Sequence, residues 1–305
     1  VDLITLKDWS PYEILATVEE ALVIKDHPER FRQAMVDQSL GMLFQKTSTR
    51  TRTSFEVGMT QMGGHAVYMD WQATNFALAD VKDEAQVLSR YVDVIVARMK
   101  HHGDLLDLTS GSEVPVINGC CDRYHPCQAL GDLMTMAEVR GSLEDVHIVY
   151  TGVLNNVANS LIVGCTKAGV RVTAVTLETN PSSQDDALLE AARETGLFAE
   201  TLDLKSAVSD ADFVYTDTWI DMEFFLEPSY QEEKERRIKA FEPYQINEAL
   251  LESTDAYVMH CLPAHKGYEV SAGVMDTPQC IAVDQAENRM HAQKAVLLRL
   301  MDREG

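Results

Sequence analysis

The chain reads as an α/β protein, two parallel-sheet α/β domains in succession, and three observations carry that reading. Short apolar runs of strand length alternate with segments of helical periodicity, the pattern of parallel strands covered by helices. The alternation is interrupted once, at the turn-like Gly141-Ser142-Leu143-Glu144-Asp145. The length, 305 residues, also exceeds what a single simple core serves.

Taken in order, residues 8–25 have helical periodicity, with Ile14, Leu15, Val18 and Leu22 on one face after a Ser10-Pro11 start. Met42-Leu43-Phe44 is an apolar strand end. Phe55, Met59 and Met62 mark a helix that stops at Gly63-Gly64, and Ala66 to Met69 is a strand. A helix over 83–90 and strands over 92–97 and 114–117 follow, then a helix over 125–137. Beyond the junction come a strand (147–151), a helix (156–168), a strand (170–176) and a helix (185–195). Strands over 213–216 and 257–260 and a last helix over 291–301 complete the chain.

Composition narrows the function. The 48 acids against 26 bases give a net charge of −22, which disfavours general nucleic-acid binding because a phosphate backbone needs a basic footprint. Apolar residues make up 46%, mean hydropathy is −0.15, and no apolar run approaches the roughly 20 residues that span a bilayer. The first residues lack the basic and apolar regions of a signal peptide. Six cysteines in so long a chain suggest free thiols in a reducing compartment, so a cytoplasmic location is expected.

Against this acidic background Ser48-Thr49-Arg50-Thr51-Arg52 stands out, with no acid until Glu56. A strand, a hydroxyl-rich turn and a helix form an anion site, because the first N–H groups of a helix lack internal partners and the helix dipole is positive there. Ser48 and Thr49 are good caps, and guanidinium forks match phosphate geometry. His125-Pro126-Cys127-Gln128 places an imidazole at another helix start, with Gln128 on the same face. Cys120, Cys121, His125 and Cys127 crowd together but lack the two paired ligand sets of a usual zinc site, so no metal is expected.

His260-Cys261-Leu262-Pro263 follows an apolar strand, where ligands of open parallel sheets bind. Gly152-Val153-Leu154-Asn155-Asn156 joins strand to helix, but a dinucleotide fingerprint needs three glycines where this has one. Its asparagines suit a carboxylate ligand instead. Asp217, after the strand over 213–216, offers an acid to an ammonium group. Arg98 and Arg289 are further candidate anion ligands.

Together these motifs resemble the carbamoyltransferase (transcarbamylase) family over nearly the whole chain. Ser-Thr-Arg-Thr-Arg, His-Pro-x-Gln and an arginine after the intervening strand match its carbamoyl phosphate signature. His-Cys-Leu-Pro and Glu-Asn-Arg-Met-His point to the ornithine branch. The resemblance implies that Ser48, Thr49, Arg50, Thr51, Arg98, His125 and Gln128 bind carbamoyl phosphate, completed by Cys261, Leu262 and Arg289. It places Asn156 and Asp217 on the amino acid's α-carboxylate and α-amine, with Asp221 and Met222 nearby. Arg50, His125 and Cys261 would be catalytic, Cys261 as proton acceptor near the attacking amine.

The resemblance further implies a carbamoyl phosphate-binding domain over 1–138, an amino-acid-binding domain over 139–286, and a final helix over 287–305 returning to the first domain. The active site would lie in the cleft between domains. It also implies a homotrimer or a multiple of one, and no cofactor. The acceptor is ornithine or a related basic amino acid, with putrescine, lysine or an N-acylated ornithine as alternatives. A non-catalytic binding protein of the same fold is a further reading.

Two segments depart from the family pattern. Asp221-Met222-Glu223 stands where ornithine enzymes carry Ser-Met-Gly, and 224–229 adds length to a loop that closes over the amino acid. Trp71 to Phe76 is aromatic and apolar where the family has a basic, Gly-rich loop reaching a neighbouring subunit. Either Trp71 or Asn75 shapes a neighbour's pocket for a different amine, or the loop has drifted with ornithine retained.

Overall fold

The computed structural model describes residues 1–220 and 224–301. Two all-parallel sheets organise them. The first holds β1 (Ser39–Phe44), β2 (His65–Asp70), β3 (Val94–Arg98) and β4 (Val116–Cys120) in the order β2-β1-β3-β4. The second holds β5 (His147–Leu154), β6 (Arg171–Thr179), β7 (Phe198–Glu200), β8 (Phe213–Thr216) and β9 (Tyr257–His260) in the order β7-β6-β5-β8-β9. In each sheet the chain builds outward to one side of its first strand and then returns to build on the other. The switch points lie between β1 and β3 and between β5 and β8, and open parallel sheets bind ligands at the carboxyl ends of such strands.

The longer helices are α1 (Pro11–Asp26), α2 (Thr49–Gln61), α3 (Val81–Leu88), α4 (His102–Gly111), α5 (Pro126–Arg140), α6 (Asn156–Lys167) and α7 (Asp186–Glu194). After the single turn α8 (Leu204–Ala207) come α9 (Gln231–Phe241), the short α10 (Glu248–Leu251) and α11 (Ala272–Met275), and α12 (Ala282–Met301). None of the described helices is long and apolar enough to cross a membrane. The start of α1 shows how sequence sets an end. Ser10 accepts from Glu13 N, Glu13 returns a carboxylate to Ser10 N at 2.7 Å, and Pro11 occupies the first position.

Helix α5 joins the two halves. It is buried from Pro126 to Ala137 on every face, between α1, α6 and α12. One apolar cluster therefore runs from α1 and the first sheet through α5 to α6 and the second sheet, including Phe55, Leu130, Leu161 and Tyr215. Lys167 reinforces the junction by donating to the carbonyls of Leu6, Lys7 and Trp9 at 3.0, 2.7 and 2.6 Å. As the sequence predicts, the last helix packs back on α1, α2 and α5.

That helix begins at Ala282, nine residues before the predicted start at His291. Its first turns bury Gln285, Asn288 and Arg289, polar residues that hide the apolar period from a sequence reading. Helix α9 escaped prediction because it buries only Arg237 and Phe241. Strand β4 begins at Val116, two residues later than expected, because the edge is set by its pairing with β3.

Helices α5 and α12 approach so closely at Gly131 that an added Cβ would lie 2.9 Å from Arg289 Cα. Overpacking of this kind costs about 1–3 kcal/mol, against about 1 kcal/mol that alanine returns in a helix. Gly131→Ala is therefore expected to lower the urea midpoint. Gly103→Ala, on α4 with no atom within 4 Å, is expected to raise it.

Candidate active site

A cavity of about 500 Å³ opens where the two switch points face each other. Its walls come from the carboxyl ends of β1, β3, β4, β5, β8 and β9 and from the starts of α2, α5 and α6. Ser48 caps α2 by accepting from Thr51 N at 3.2 Å, which leaves the first N–H groups of that helix facing the cavity. Arg50 reaches across to the second sheet and donates to Leu262 O at 2.6 Å. Leu262, at φ 56°, turns in the left-handed region and presents this carbonyl to the cleft. Arg98 lies near Thr51 Oγ1 at 3.4 Å and Gly119 O at 3.5 Å. Arg289, on α12, donates to Gln128 Oε1 at 2.8 Å.

Each of these three guanidinium groups keeps a buried Nε without a partner. Burial lowers the Arg50 pKa, and burial together with Arg50 and Arg98 pushes Arg289 down to about 10. His125 shares the site, with its backbone N–H on Ser160 Oγ at 2.7 Å and its Nδ1 unpartnered. Burial first, and then the three arginines, hold its pKa well below the ordinary range, so the ring is neutral. The wall is thus rich in donors and cationic, with room for an oxyanion.

The opposite wall is acidic. Asp217 receives Asn155 Nδ2 at 2.7 Å, Thr218 N at 2.7 Å and Cys261 Sγ at 2.9 Å. Burial and the neighbouring Asp217 push the Cys261 pKa well above its usual value, so the thiol is a donor here. The expectation that Cys261 accepts a proton does not match this arrangement. Asp217, His260 and Cys261 stand close enough to suggest a cation site. However, His260 Nδ1 accepts from Leu262 N at 2.8 Å and Nε2 meets Glu269 at 3.0 Å, so neither ring nitrogen has a lone pair to give. The thiols around His125 face separate acceptors: Cys120 meets Cys121 O, Cys121 meets Tyr124 O and Cys127 meets Asn118 O.

Most residues singled out in the sequence meet in this cavity: Ser48, Arg50, Thr51, Arg98, His125, Gln128 and Arg289 on one side, and Asn156, Asp217, Cys261 and Leu262 on the other. Thr49 opens α2 but is exposed and does not line it. Arg52 turns away to stack 3.7 Å over Tyr68 and to pair with Glu56, since positions two apart lie on opposite sides of a helix. Asn156 donates to Cys121 O at 2.6 Å and would have to turn to meet a ligand. Asp221 and Met222 lie outside the described residues.

Of the two residues expected at a neighbour's pocket, Trp71 is buried in its own chain's core, 5.5 Å from the Phe76 ring, and Asn75 is exposed. Phe225, in the lengthened loop, stacks on His265 with centroids 3.8 Å apart. Phe224 lines an adjoining cavity of about 340 Å³ that shares Lys46, Lys100 and Asn156 with the first.

Sequence reasoning missed the group that orients Gln128. Asp132 Oδ1 receives Gln128 Nε2 at 2.8 Å and Gln285 Nε2 at 2.7 Å, and Gln285 Oε1 receives His260 N at 2.8 Å. The signal was present as an i, i+4 spacing, Gln128 to Asp132 and Gln285 to Arg289. Burial raises the Asp132 pKa to about 7, and its unpartnered Oδ2 is the place for the proton. An acid whose folded pKa lies above its unfolded value of about 4 binds more protons when folded. Its contribution to stability is therefore fullest below about pH 4 and falls as pH rises to about 7. Denaturation midpoints across that window are expected to show this fall in the wild type. Asp132→Asn, which keeps the Oδ1 acceptor, is expected to be flatter.

Comparison with known proteins agrees with this geometry. Residues 1–138 match the carbamoyl-P binding domain of aspartate/ornithine carbamoyltransferases, and residues 144–300 match the Asp/Orn binding domain. The ornithine carbamoyltransferase of Pyrococcus abyssi is 43% identical, covering 98% of this chain and 95% of its own. That of Haloquadratum walsbyi is 41% identical over 98% and 97%. Among solved structures, ornithine carbamoyltransferase from Pyrococcus furiosus superposes with a TM-score of 0.91 at 42% identity, covering 100% of this chain and 98% of its own. A mutant N-acetyl-L-ornithine transcarbamylase complexed with PALAO gives 0.84 at 30%, over 98% and 99%. The chain is a member of the aspartate/ornithine carbamoyltransferase family.

Proposed function

We propose that this protein transfers the carbamoyl group of carbamoyl phosphate to the side-chain amine of L-ornithine and releases inorganic phosphate. The observation that carries the reading is the facing of three arginines and a neutral histidine against the Asp217–Cys261 pair, in one cleft between two switch points. The relatives' names support ornithine as acceptor.

The phosphoryl group sits at the start of α2, on the Ser48 hydroxyl, the N–H groups near Arg50 and Thr51, and the Arg50 and Arg98 forks. The carbamoyl oxygen faces His125 and Arg50, and the carbamoyl NH₂ donates to Leu262 O. The uncharged amine attacks the carbamoyl carbon. A C–N bond forms, the C–O bond to phosphate breaks, and the amine's proton leaves toward the departing phosphate or the Asp217 carboxylate. Charge grows on the carbonyl and phosphate oxygens, where fixed donors stabilise it. Holding both substrates in contact supplies much of the remaining rate. Gln128 acts through Arg289, whose fork it holds.

The amino acid's α-amine meets Asp217 and its α-carboxylate Asn156, with Lys46 and Lys100 close by. The acids at 221 and 223 suit a cationic acceptor and disfavour aspartate. Residues 1–138 form the carbamoyl phosphate-binding domain and 139–286 the amino-acid domain, with the final helix, described to Met301, returning to the first. The chain assembles as a homotrimer in the cytoplasm. The exposed Asn75 and Leu78 belong to the loop that faces a neighbour.

Phosphate release from carbamoyl phosphate is expected with ornithine, and far more slowly with lysine, putrescine or aspartate. Turnover with another amine and not ornithine would overturn the acceptor, and no turnover with any amine would overturn the enzyme. Loss of a positioned donor costs about 10²–10³ in rate, so Arg50→Ala is expected to lower kcat/KM for carbamoyl phosphate by at least that factor while the protein stays folded.

A further inference from the structure

A second cavity, of about 710 Å³, lies away from the cleft between the end of α1, the end of α2 and α12. Lys294 lines it, only 2% exposed, with its stem against Gly58 and its ammonium donating to Gln61 Oε1. Among the described residues no carboxylate pairs with it, and burial alone lowers its pKa. His291, 7% exposed, lines the same cavity with Nδ1 unpartnered, while its Nε2 lies 3.6 Å from Glu287. Arg32 stands exposed at the rim, as do the acids Asp26 and Glu287. Lys25 also lines the cavity, with its ammonium already on Glu138 at 2.6 Å and Asn288 Oδ1 at 2.8 Å.

A buried cation without a counter-ion is costly, by several kcal/mol for an isolated charge. In a chain of net charge −22 acids are abundant, yet among the described residues none is set against this ammonium. We infer that this cavity is a second oxyanion site, built for the phosphate group of a small molecule. The Lys294 ammonium has donors to spare beyond the one that Gln61 takes. Arg32 supplies a fork at the mouth. Ile24, Phe31, Met62 and Met290 supply an apolar wall, and lower local polarity strengthens each of these contacts. The site is on the helix that carries Arg289 into the cleft, so occupancy bears on the same element.

Inorganic phosphate is the probe, and the cleft must be discounted because it too is cationic. Equilibrium dialysis is expected to find two phosphates per chain in the wild type and one in Arg50→Ala. In the Arg50→Ala, Lys294→Met double variant the remaining affinity is expected to fall about tenfold or more, the worth of a charge-assisted hydrogen bond. Lys294→Met alone keeps the stem packing on Gly58, removes an unpaired buried charge, and is expected to stay folded with unchanged phosphate-release activity. Binding of a single phosphate by the wild type would overturn the inference. So would binding to the Arg50→Ala chain that Lys294→Met leaves intact, since that phosphate would be a residual cleft ligand.

Discussion

The cleft is organised around positive charge that the protein desolvates and does not neutralise. Arg50, Arg98 and Arg289 face one another at the carboxyl ends of the sheets, each with a buried Nε unpaired. Burial first, and then the neighbouring guanidinium charges, lowers the pKa of Arg50 and Arg289 and keeps His125 neutral. Three guanidinium groups held together this way raise the energy of the empty state, and a bound oxyanion relieves it. Binding energy is in this sense stored in the fold, because anything that binds only the folded form stabilises it.

The backbone meets that constraint by bringing both switch points to one gap. Two sheets with short connections would place their ligand ends independently, so something must fix them together. Helix α5, buried on every face, and α12, which returns from the second sheet, do so. The contact at Gly131 brings the backbone of α5 against Arg289, and Asp132, one residue on, holds both Gln128 and Gln285. Position and charge are therefore set by the same pair of helices. The acidic side, Asp217 with Cys261 as its thiol donor, comes from two loops of the second sheet and completes the pairing of an anion with an amine.

Much of this was legible in the residues. The strand-and-helix alternation predicted two parallel sheets, since each element there follows its own local period. Ser48 to Thr51, His125, Gln128 and Cys261 were legible because helix starts and strand ends are marked by local chemistry. What could not be read has a common cause, which is tertiary contact. The first turns of α12 bury polar side chains against α5, so their periodicity looked like surface. Trp71, one of two candidates for a neighbour's pocket, fills its own core beside Phe76. Arg52 shares a motif with Arg50 but not a face of the helix. The thiol state of Cys261 depends on Asp217, which is 44 residues away in sequence.

The most direct measurement is a crystal structure of the protein with carbamoyl phosphate. The account predicts the phosphoryl oxygens at the start of α2, in hydrogen-bond contact with Ser48, Arg50 and Arg98. It places the carbamoyl oxygen on His125 and the carbamoyl NH₂ on Leu262 O. Density for the ligand elsewhere, or in the cleft with its phosphate turned toward Asp217, would contradict it.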